Sequence, residues 1–297
     1  MKVSAVVVTY NRVEMLKEVI SALLSSKARL NHVIVVDNNS DKATQDFLLS
    51  MGSSIEYVRL TENLGGAGGF NRGIRYFMEH TEDDAVWLMD DDTVPDESTL
   101  SSLIDFADTI GSYGFLASDV RWIDGSRALM NNLTLKNGLG KVPEDATQSV
   151  KVANATFVSL LMSRDIIQKI GLPITEFFIW GDDIEYTERA ERIAPGYFVP
   201  KANVVHKMSK NVGTNIVTDD EERIPRYYFA YRNKMYYGRK RGWIGHLKSN
   251  LRIMADAFQI LITPNVSRRR ERLSSLIRGV IDGRRFNPKI EYLSSDH

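Results

Sequence analysis

The run Ala85-Val86-Trp87-Leu88-Met89-Asp90-Asp91-Asp92 decides the fold of this 297-residue chain. The apolar residues predict a buried strand, which ends directly in three carboxylates. Neighbouring carboxylates repel one another, so gathering them is costly unless a cation is bound. Along an extended chain Asp90 and Asp92 point to one side and Asp91 to the other. Two oxygens on one side suit a hard divalent ion that also binds phosphates. The alternative is a solvated acidic turn.

Apolar runs and helical patterns alternate ahead of this strand. Strands are predicted over residues 3–8, 33–36 and 55–60, and a glycine-rich loop at 65–69 opens a helix that continues through Phe77. Alternating strands and helices indicate an α/β fold whose mostly parallel sheet has helices on both faces. Because such sheets bind ligands at the carboxyl ends of their strands, we expect Asp37 and the aspartate run to act together.

The second half of the chain has a less regular pattern. Strands are predicted over residues 154–162 and 197–205, and a helix over 185–193. Gly138, Gly140 and Pro143 predict a loop. After Pro225 the pattern is helical. Two apolar stripes recur there at helical spacing: Leu247, Leu251, Met254 and Phe258, and then Leu273, Leu276, Ile277 and Val280.

The basic residues are concentrated at the C-terminal end. Residues 223–297 hold 17 Lys/Arg and 5 Asp/Glu, whereas residues 1–222 are acidic in balance. We therefore predict a catalytic domain over 1–222 and a helical, basic region over 223–297. Arginines interleaved with an apolar stripe are typical of a helix on an anionic membrane surface. The alternative is a solvated, packed or oligomer-forming helix. The arginines concerned are Arg268, Arg269, Arg270, Arg272, Arg278, Arg284 and Arg285.

Composition excludes several classes of site. The chain has no cysteine, which excludes disulfides, a thiol nucleophile and a zinc-thiolate site and fits a reducing compartment. The sequence predicts neither a secretory signal nor a membrane span, so we expect a cytoplasmic protein, peripheral on the inner face of the cell membrane. A nucleic-acid-binding module built on the basic tail is a remote alternative, because an acidic body repels phosphate backbones, and we expect no nucleic-acid partner.

The segment from Asn63 to Gly73 has the composition of a phosphate-binding loop. Glycines such as Gly65 and Gly66 let the backbone approach a pyrophosphate, and Arg72 can pair with a phosphate. The glycine spacing fits neither a dinucleotide fingerprint nor a Walker loop. The alternative is a loop that only caps the following helix.

Two further positions favour catalysis. Asp182 and Asp183 follow an aromatic run, so one of them is a candidate general base, although Asp182 with Glu185 also fits a helix-capping box. His206 ends a predicted strand, and a lone histidine is more often structural. Together with two aspartates it would complete an oxygen and nitrogen ligand set that favours manganese over magnesium.

Taken together, these motifs resemble the inverting family 2 glycosyltransferases, which have the GT-A fold. The matching segments are Val8-Thr9-Tyr10-Asn11-Arg12, Val35-Val36-Asp37-Asn38-Asn39-Ser40, Asn63-Leu64-Gly65-Gly66 with Asn71-Arg72-Gly73, and Asp90-Asp91-Asp92. The resemblance implies a nucleotide-sugar site. Thr9 and Arg12 would lie near the nucleotide and Asp37 on its base, and Asp90 and Asp92 would hold a divalent metal on the diphosphate. The other residues expected in the donor site are Asn63, Gly65, Gly66, Arg72 and Asp91.

Within that family, Trp180-Gly181-Asp182-Asp183 with the later His206 is similar to galactofuranosyltransferases that use UDP-galactofuranose. This implies that Asp183 is the base, that Trp180 and Asp182 contact the acceptor, and that His206 joins the metal. The implied acceptor is a glycan on a lipid carrier. A rhamnosyltransferase or another pyranosyltransferase of the same fold is the alternative. The large N-terminal domain of the polymerising members is not seen ahead of Val3, so we expect single additions or a short repeat and not processive polymerisation.

Overall fold

The computed structural model describes residues 1–131, 133–136 and 140–293. The chain divides into two compact units. Unit 1 comprises Met1–Thr175, Asp183–Val212 and the chain from Ile290, and unit 2 comprises Glu176–Asp182 and Gly213–Lys289. The boundaries between these units do not fall at residue 222. The division into a catalytic domain over 1–222 and a basic region over 223–297 stays a prediction. The predicted loop residue Gly138 and the chain beyond Leu293 lie outside the described residues.

The described strands all belong to one mixed sheet in unit 1. In chain order they are Val3–Thr9 (β1), His32–Asp37 (β2), Glu56–Arg59 (β3), Ala85–Asp90 (β4), Thr93–Pro95 (β5), Phe115–Arg121 (β6), Thr134–Leu135 (β7), Val150–Asn154 (β8), Leu160–Ser163 (β9) and Gly196–His206 (β10). Their order across the sheet is β3-β2-β1-β4-β9-β6-β10-β8-β7, with β5 paired to β10.

Helices cover both faces of this sheet. Those of unit 1 are Val13–Leu24 (α1), Lys42–Ser50 (α2), Gly65–His80 (α3), Thr99–Ile110 (α4), Arg164–Ile170 (α5) and Asp182–Glu191 (α6), whose first residue belongs to unit 2. Those of unit 2 are Arg226–Lys240 (α7), Gly242–Ile262 (α8) and Arg269–Arg285 (α9). The expected α/β fold is confirmed.

The parallel strands β1, β2 and β4 bring polar residues to one edge of the sheet. Their inner residues are apolar and buried, which is typical of strands covered on both faces. Thr9 pairs in register with Asp37, and Val8 pairs with Asp90. Thr9, Asp37 and Asp90 therefore lie at neighbouring carboxyl ends, as the sequence predicted.

The glycine-rich stretch is helical, which corrects the predicted loop at 65–69. Gly65 begins α3, and two later glycines let this helix pack closely on β1. A Cβ on Gly69 would lie 2.4 Å from Val8 Cγ1, and one on Gly73 would lie 2.4 Å from Val6 Cγ1. Both distances are far inside van der Waals contact, so these two glycines serve helix-to-sheet packing.

The predicted strand over 154–162 is also wrong. β8 ends at Asn154 and β9 begins at Leu160, and an irregular segment separates them. β9 then runs antiparallel between β4 and β6. Apolar residues of this segment are buried in its regular and its irregular parts alike, and periodicity does not distinguish the two.

Unit 2 has its own small apolar core. Tyr227, Tyr231, Ile253, Ile260 and Leu276 are buried together, and they come from all three of its helices. Among the helices that the structure describes, none combines the length and the apolar composition that crossing a bilayer requires.

Candidate active site

The pairing of β5 with β10 brings His206 to the aspartate run. β4 leads into Asp90, and the chain turns through Asp91 and Asp92 before it enters β5. In the antiparallel ladder His206 pairs with Thr93, and Lys207 N donates to Asp92 O over 2.8 Å. Two strands distant in sequence therefore end at the same point of the sheet.

Asp90, Asp92 and His206 form a candidate metal site. One ligand atom from each lies within 4.8 Å of the others. His206 Nε2 lies 3.1 Å from Asp92 Oδ1. Neighbouring ligands of an octahedral ion with bonds of about 2.1 Å lie about 3 Å apart, so this spacing fits a divalent cation. Asp91 does not belong to this group, and its Oδ2 accepts from Thr9 Oγ1.

The hydrogen bonds of His206 favour a ligand role for Nε2. Asn131 Nδ2 donates to Thr156 Oγ1 over 2.7 Å, which turns Asn131 Oδ1 towards His206 Nδ1 at 2.9 Å. Nδ1 therefore carries a proton, and when His206 is neutral the lone pair of Nε2 faces Asp92, as a metal ligand requires. Asp92 Oδ1 is buried without a hydrogen-bond partner in the described structure. Two acceptor atoms that face each other in a buried site fit a cation.

Arg12 and Thr9 hold the outer side of the aspartate run. Thr9 Oγ1 donates to Asp91 Oδ2 over 2.7 Å. Arg12 Nη1 lies 2.6 Å from Asp92 Oδ2 and 3.3 Å from Asp91 Oδ1. The Arg12 side chain is about half exposed, so part of its guanidinium faces solvent, where it can meet an anionic ligand.

The cluster carries more negative charge than its protein partners offset. Burial, followed by the charge of Asp92, raises the pKa of Asp90 to about 7. Burial also raises the pKa of Asp91 to about 6, despite the opposing charge of Arg12. Burial opposes ionisation of Asp92 as well, but the contact with His206 in its protonated form and the charge of Arg12 hold the pKa of Asp92 below the usual value. A divalent cation would supply the missing positive charge.

Asp37 lies at the same edge and is fully buried. Its Oδ1 accepts from Ser40 N over 2.7 Å, and its Oδ2 accepts from Tyr57 Oη over 2.9 Å and from Arg59. Each oxygen thus already accepts a hydrogen bond. The role of Asp37 on the nucleotide base stays a prediction.

Asn38 fixes the backbone where α3 begins. Its Nδ2 donates to Gly65 O over 2.8 Å, and its Oδ1 accepts from Leu64 N over 2.8 Å. Asn63 Oδ1 accepts from Gly65 N over 2.8 Å. A Cβ on Gly66 would meet nothing within 4 Å, so this glycine is not required by packing. Arg72, nearly two turns further along α3, is exposed. The donor-binding roles of Asn63, Gly65, Gly66 and Arg72 stay predictions.

The predicted catalytic pair lies at the start of α6. Asp183 is half-buried in unit 1, and its Oδ1 accepts from Ile184 N over 2.7 Å. Asp182 is buried and belongs to unit 2, so the chain passes between the units at this pair. Glu185, the proposed partner in a capping box, accepts instead from Arg189 over 2.9 Å. The assignment of Asp183 as base stays a prediction.

Trp180 belongs to a strained turn in unit 2. Phe178, Trp180 and Gly181 all have left-handed backbone angles, with φ of 62°, 63° and 90°. Non-glycine residues adopt this conformation at a cost, and such strain is found at functional sites. Asn233 holds the turn, because its Nδ2 donates to the carbonyl oxygens of Phe177, Ile179 and Trp180.

The Trp180 ring itself lies 5.1 Å from Tyr227, edge to face, and 5.1 Å from the guanidinium of Arg223. These contacts hold the ring in a fixed orientation within unit 2. Contact between Trp180 and an acceptor stays a prediction.

Sequence patterns missed four residues that support these positions: Asn38, Asn131, Tyr57 and Asn233. A buried asparagine inside a regular element is one usable signal, since a buried amide needs partners. Asn233 in the middle of α7 fits that description, whereas Asn131 ends the short 3₁₀ helix Leu129–Asn131, which leaves no periodic signal.

A model of the family described as "Glycosyl transferase family 2" matches residues 4–171. Among characterised proteins, the galactofuranosyltransferase GlfT1 of Mycolicibacterium smegmatis is 28% identical over 251 residues, which cover 79% of this chain and 82% of that protein.

Solved structures agree on the fold. S. aureus TarS matches with a TM-score of 0.56 at 16% identity, over 95% of this chain and 43% of that one. The chain therefore spans less than half of the full TarS chain. TarS 1–349 in complex with UDP matches with a TM-score of 0.55 over 71% of its length.

The mannosyltransferase PcManGT of Pyrobaculum calidifontis, in complex with GDP-Man and Mn²⁺, matches with a TM-score of 0.56 at 14% identity, over 95% of this chain and 86% of that one. These likenesses confirm the GT-A fold that the sequence predicted. The family match covers more than half of the chain. The chain is a glycosyltransferase and belongs to glycosyl transferase family 2.

Proposed function

We propose that this enzyme transfers a galactofuranosyl residue from UDP-galactofuranose to a hydroxyl group of a lipid-linked glycan, with inversion at the anomeric carbon. The observation that carries the proposal is the convergence of Asp90, Asp92 and His206 in a chain whose relative is a galactofuranosyltransferase. Solved proteins of the same fold bind UDP, or GDP-Man with Mn²⁺, which supports a nucleotide-sugar donor and a divalent metal. The proposed location is the cytoplasm, peripheral on the inner face of the cell membrane.

Asp90, Asp92 and His206 would hold the metal, and a mixed carboxylate and imidazole set favours Mn²⁺ over Mg²⁺. When bound, the metal supplies Lewis-acid stabilisation of the departing diphosphate. Thr9, Arg12 and Asp91 border this position through the hydrogen bonds described above. The nucleotide would be held by Asp37 and by the backbone at the start of α3, with Asn63, Gly65, Gly66 and Arg72 around its phosphates.

Asp183 would act as the general base. It takes the proton of the acceptor hydroxyl while that oxygen forms a bond to the anomeric carbon. The bond from the anomeric carbon to the phosphate oxygen breaks, and UDP leaves with the electron pair. Trp180 and Asp182 would bind the acceptor sugar. General-base assistance of this kind contributes about 10²–10⁴-fold in rate.

A donor panel tests the proposal. The full chain is incubated with Mn²⁺, a lipid-linked glycan and one donor at a time: UDP-galactofuranose, UDP-galactopyranose or a nucleotide-linked rhamnose. We expect release of UDP and a new glycan product from UDP-galactofuranose, with the anomeric configuration opposite to that of the donor. Transfer only from the rhamnose or pyranose donor would establish the alternative. Release of pyrophosphate would indicate a nucleotidyltransferase and contradict the proposal.

A further inference from the structure

One face of α8 carries large apolar side chains that remain exposed. Their exposed fractions lie between 50% and 77%, and they recur every three or four residues, so they form one continuous stripe. This α8 apolar face consists of Trp243, Ile244, Leu247, Leu251, Met254, Phe258, Leu261 and Ile262. A helix of this length extends about 30 Å, far more than a single exposed contact. A patch of this size marks an interaction surface.

The opposite face of α8 is bound to the rest of unit 2. Ser249, Ile253 and Ile260 are buried there. Asp256, on the same side, accepts from Tyr231 Oη over 3.1 Å and lies 3.7 Å from Lys234 Nζ. The inner contacts fix the rotation of the helix about its axis, so the apolar face is directed away from the core of unit 2.

The sequence favoured α9 as the membrane-binding helix, but much of its apolar face packs against the core of unit 2. Leu276 is buried, and Leu273 and Val280 pack against the same core. Arg272 is almost fully buried, and it donates to the carbonyl oxygens of Ile216 and Asp219 over 2.7 and 2.8 Å. Ile277 and Ile281 of α9 are exposed too, but they make a much shorter apolar patch than the stripe on α8.

The α8 apolar face could be covered by a second copy of the chain or by a lipid surface, and the charges beside it distinguish the two. Within α8, all of which the structure describes, Asp256 is the one carboxylate, and it lies on the inner side. Lys248 and Arg252 are exposed beside the stripe, and Arg252 Nε also lies 3.4 Å from Asp256 Oδ1. If a second copy packed on this face, the two copies would bring these cations together without exposed carboxylates of α8 to pair with them. An anionic lipid surface complements both the stripe and the cations.

We propose that the α8 apolar face binds the surface of an anionic lipid bilayer. The helix lies parallel to the surface, with Leu251, Met254 and Phe258 among the acyl chains and Lys248 and Arg252 at the headgroups. The proposal concerns an interaction surface of unit 2 and does not depend on which sugar is transferred.

Flotation of the full chain with lipid vesicles tests the proposal. The vesicles are phosphatidylcholine alone or phosphatidylcholine with an equal amount of phosphatidylglycerol, and no donor or metal is present. The double variant Leu251→Gln/Phe258→Gln should bind the anionic vesicles at least about tenfold more weakly, because it removes buried apolar groups from the bilayer. The matched control is Leu49→Gln/Ile123→Gln. The exposed fractions of its two residues, 59% and 60%, are close to the 55% and 60% of Leu251 and Phe258.

Two further measurements test whether the α8 apolar face meets lipid directly. Lys248→Gln/Arg252→Gln should reduce the preference for anionic vesicles by about tenfold or more, since each basic residue near such a surface contributes about 1 kcal/mol. The emission of Trp243, which is 77% exposed, should shift to shorter wavelength on binding, and Trp243→Phe should remove that shift.

The proposal is overturned if the unsubstituted chain fails to float with anionic vesicles, or if the apolar double variant binds as well as its control. It is also overturned if light scattering shows a dimer that Leu251→Gln/Phe258→Gln dissociates, since the occupant would then be a second copy. Circular dichroism of each variant shows that it is folded.

Discussion

Asn131 Oδ1 accepts a hydrogen bond from His206 Nδ1 over 2.9 Å, and this contact sets which nitrogen of His206 faces Asp92. Replacing Asn131 by leucine removes the acceptor and leaves the imidazole free to change its tautomer. Such outer partners of a ligating histidine are typically worth about 10–100-fold in metal affinity. We expect a loss of that size for Mn²⁺ in calorimetric titrations without donor or acceptor.

Thr156→Val is the control for Asn131→Leu. It removes the other hydrogen bond of the Asn131 amide and keeps the contact with His206. We expect a smaller change in Mn²⁺ affinity, and nitrogen NMR should show the Nδ1-protonated form of His206 retained. If Asn131→Leu binds Mn²⁺ as tightly as the unsubstituted chain does, Asn131 has no positioning role.

Mn²⁺ should stabilise the folded chain, because a ligand that binds only the native state shifts the unfolding equilibrium. At a hundred times its Kd the gain is about 2.7 kcal/mol, which thermal unfolding detects as a higher Tm. Mg²⁺ at equal concentration should raise the Tm less, because imidazole is a poorer ligand for it. Asp92→Ala should abolish the shift and weaken metal-dependent UDP binding. Asp96→Ala, which removes an exposed carboxylate close by, should leave the shift intact. An unchanged shift in Asp92→Ala would exclude the proposed metal site.

Two alanine substitutions in α3 separate packing from donor binding. Gly69→Ala places a Cβ against Val8 and should lower the free energy of unfolding by about 1–3 kcal/mol, the usual cost of overpacking. Gly66→Ala meets open space, and in a helix alanine is about 1 kcal/mol more favourable than glycine, so stability should not fall. We expect Gly66→Ala to weaken UDP binding, measured by calorimetry. Unchanged UDP affinity would leave Gly66 without a donor-binding role.

Asp183→Asn should lower the transfer rate by about 10²–10⁴-fold while UDP binding is kept, because the amide cannot accept the acceptor proton. The measurements are UDP release with acceptor present and calorimetry with UDP. Asp165→Asn is the matched control, since Asp165 is an exposed carboxylate in the first turn of another helix. Near-normal turnover in Asp183→Asn would show that another group is the base.

Asn233→Ala should release the turn that contains Trp180. The substitution removes the donor that the carbonyl oxygens of Ile179 and Trp180 share with Phe177 O, which still accepts from Ile179 N, and an unsatisfied buried group costs about 1–3 kcal/mol. Urea unfolding measures that loss, and the KM for acceptor should rise. Asn250→Ala is the control, because among the described residues the Asn250 amide hydrogen-bonds to His246, one helical turn away. Equal stability of the two variants would contradict the role given to Asn233.

The parallel half of the sheet was predictable because its strands are short, apolar and bounded by polar residues. The aspartate run follows one of them, so the position of Asp90 and Asp92 at the sheet edge followed from the sequence. The prediction of a loop for the glycine-rich stretch was wrong, because Gly69 and Gly73 are needed where α3 packs closely on β1. Local sequence patterns do not show such a tertiary contact. Propensity alone favours a loop there, and tertiary packing overrides it.

Other features depend on pairings between distant residues. The contact of His206 with Asp92 requires β5 to pair with β10, and a three-residue strand such as β5 leaves no periodic signal. The helical spacing of Leu247, Leu251, Met254 and Phe258 was visible, but spacing does not say whether a stripe faces a core or solvent. The packing of Ile253 and Ile260 inside unit 2 decides that question.

The late position of β10 has a consequence during synthesis. The family match ends at residue 171, whereas His206 lies at the end of the last strand of the sheet. During synthesis, Asp90 and Asp92 therefore leave the ribosome well before His206 does. A nascent chain stalled ahead of residue 206 would lack the third of the proposed ligands, so capture of a cation at the proposed site would report that β10 has joined the sheet.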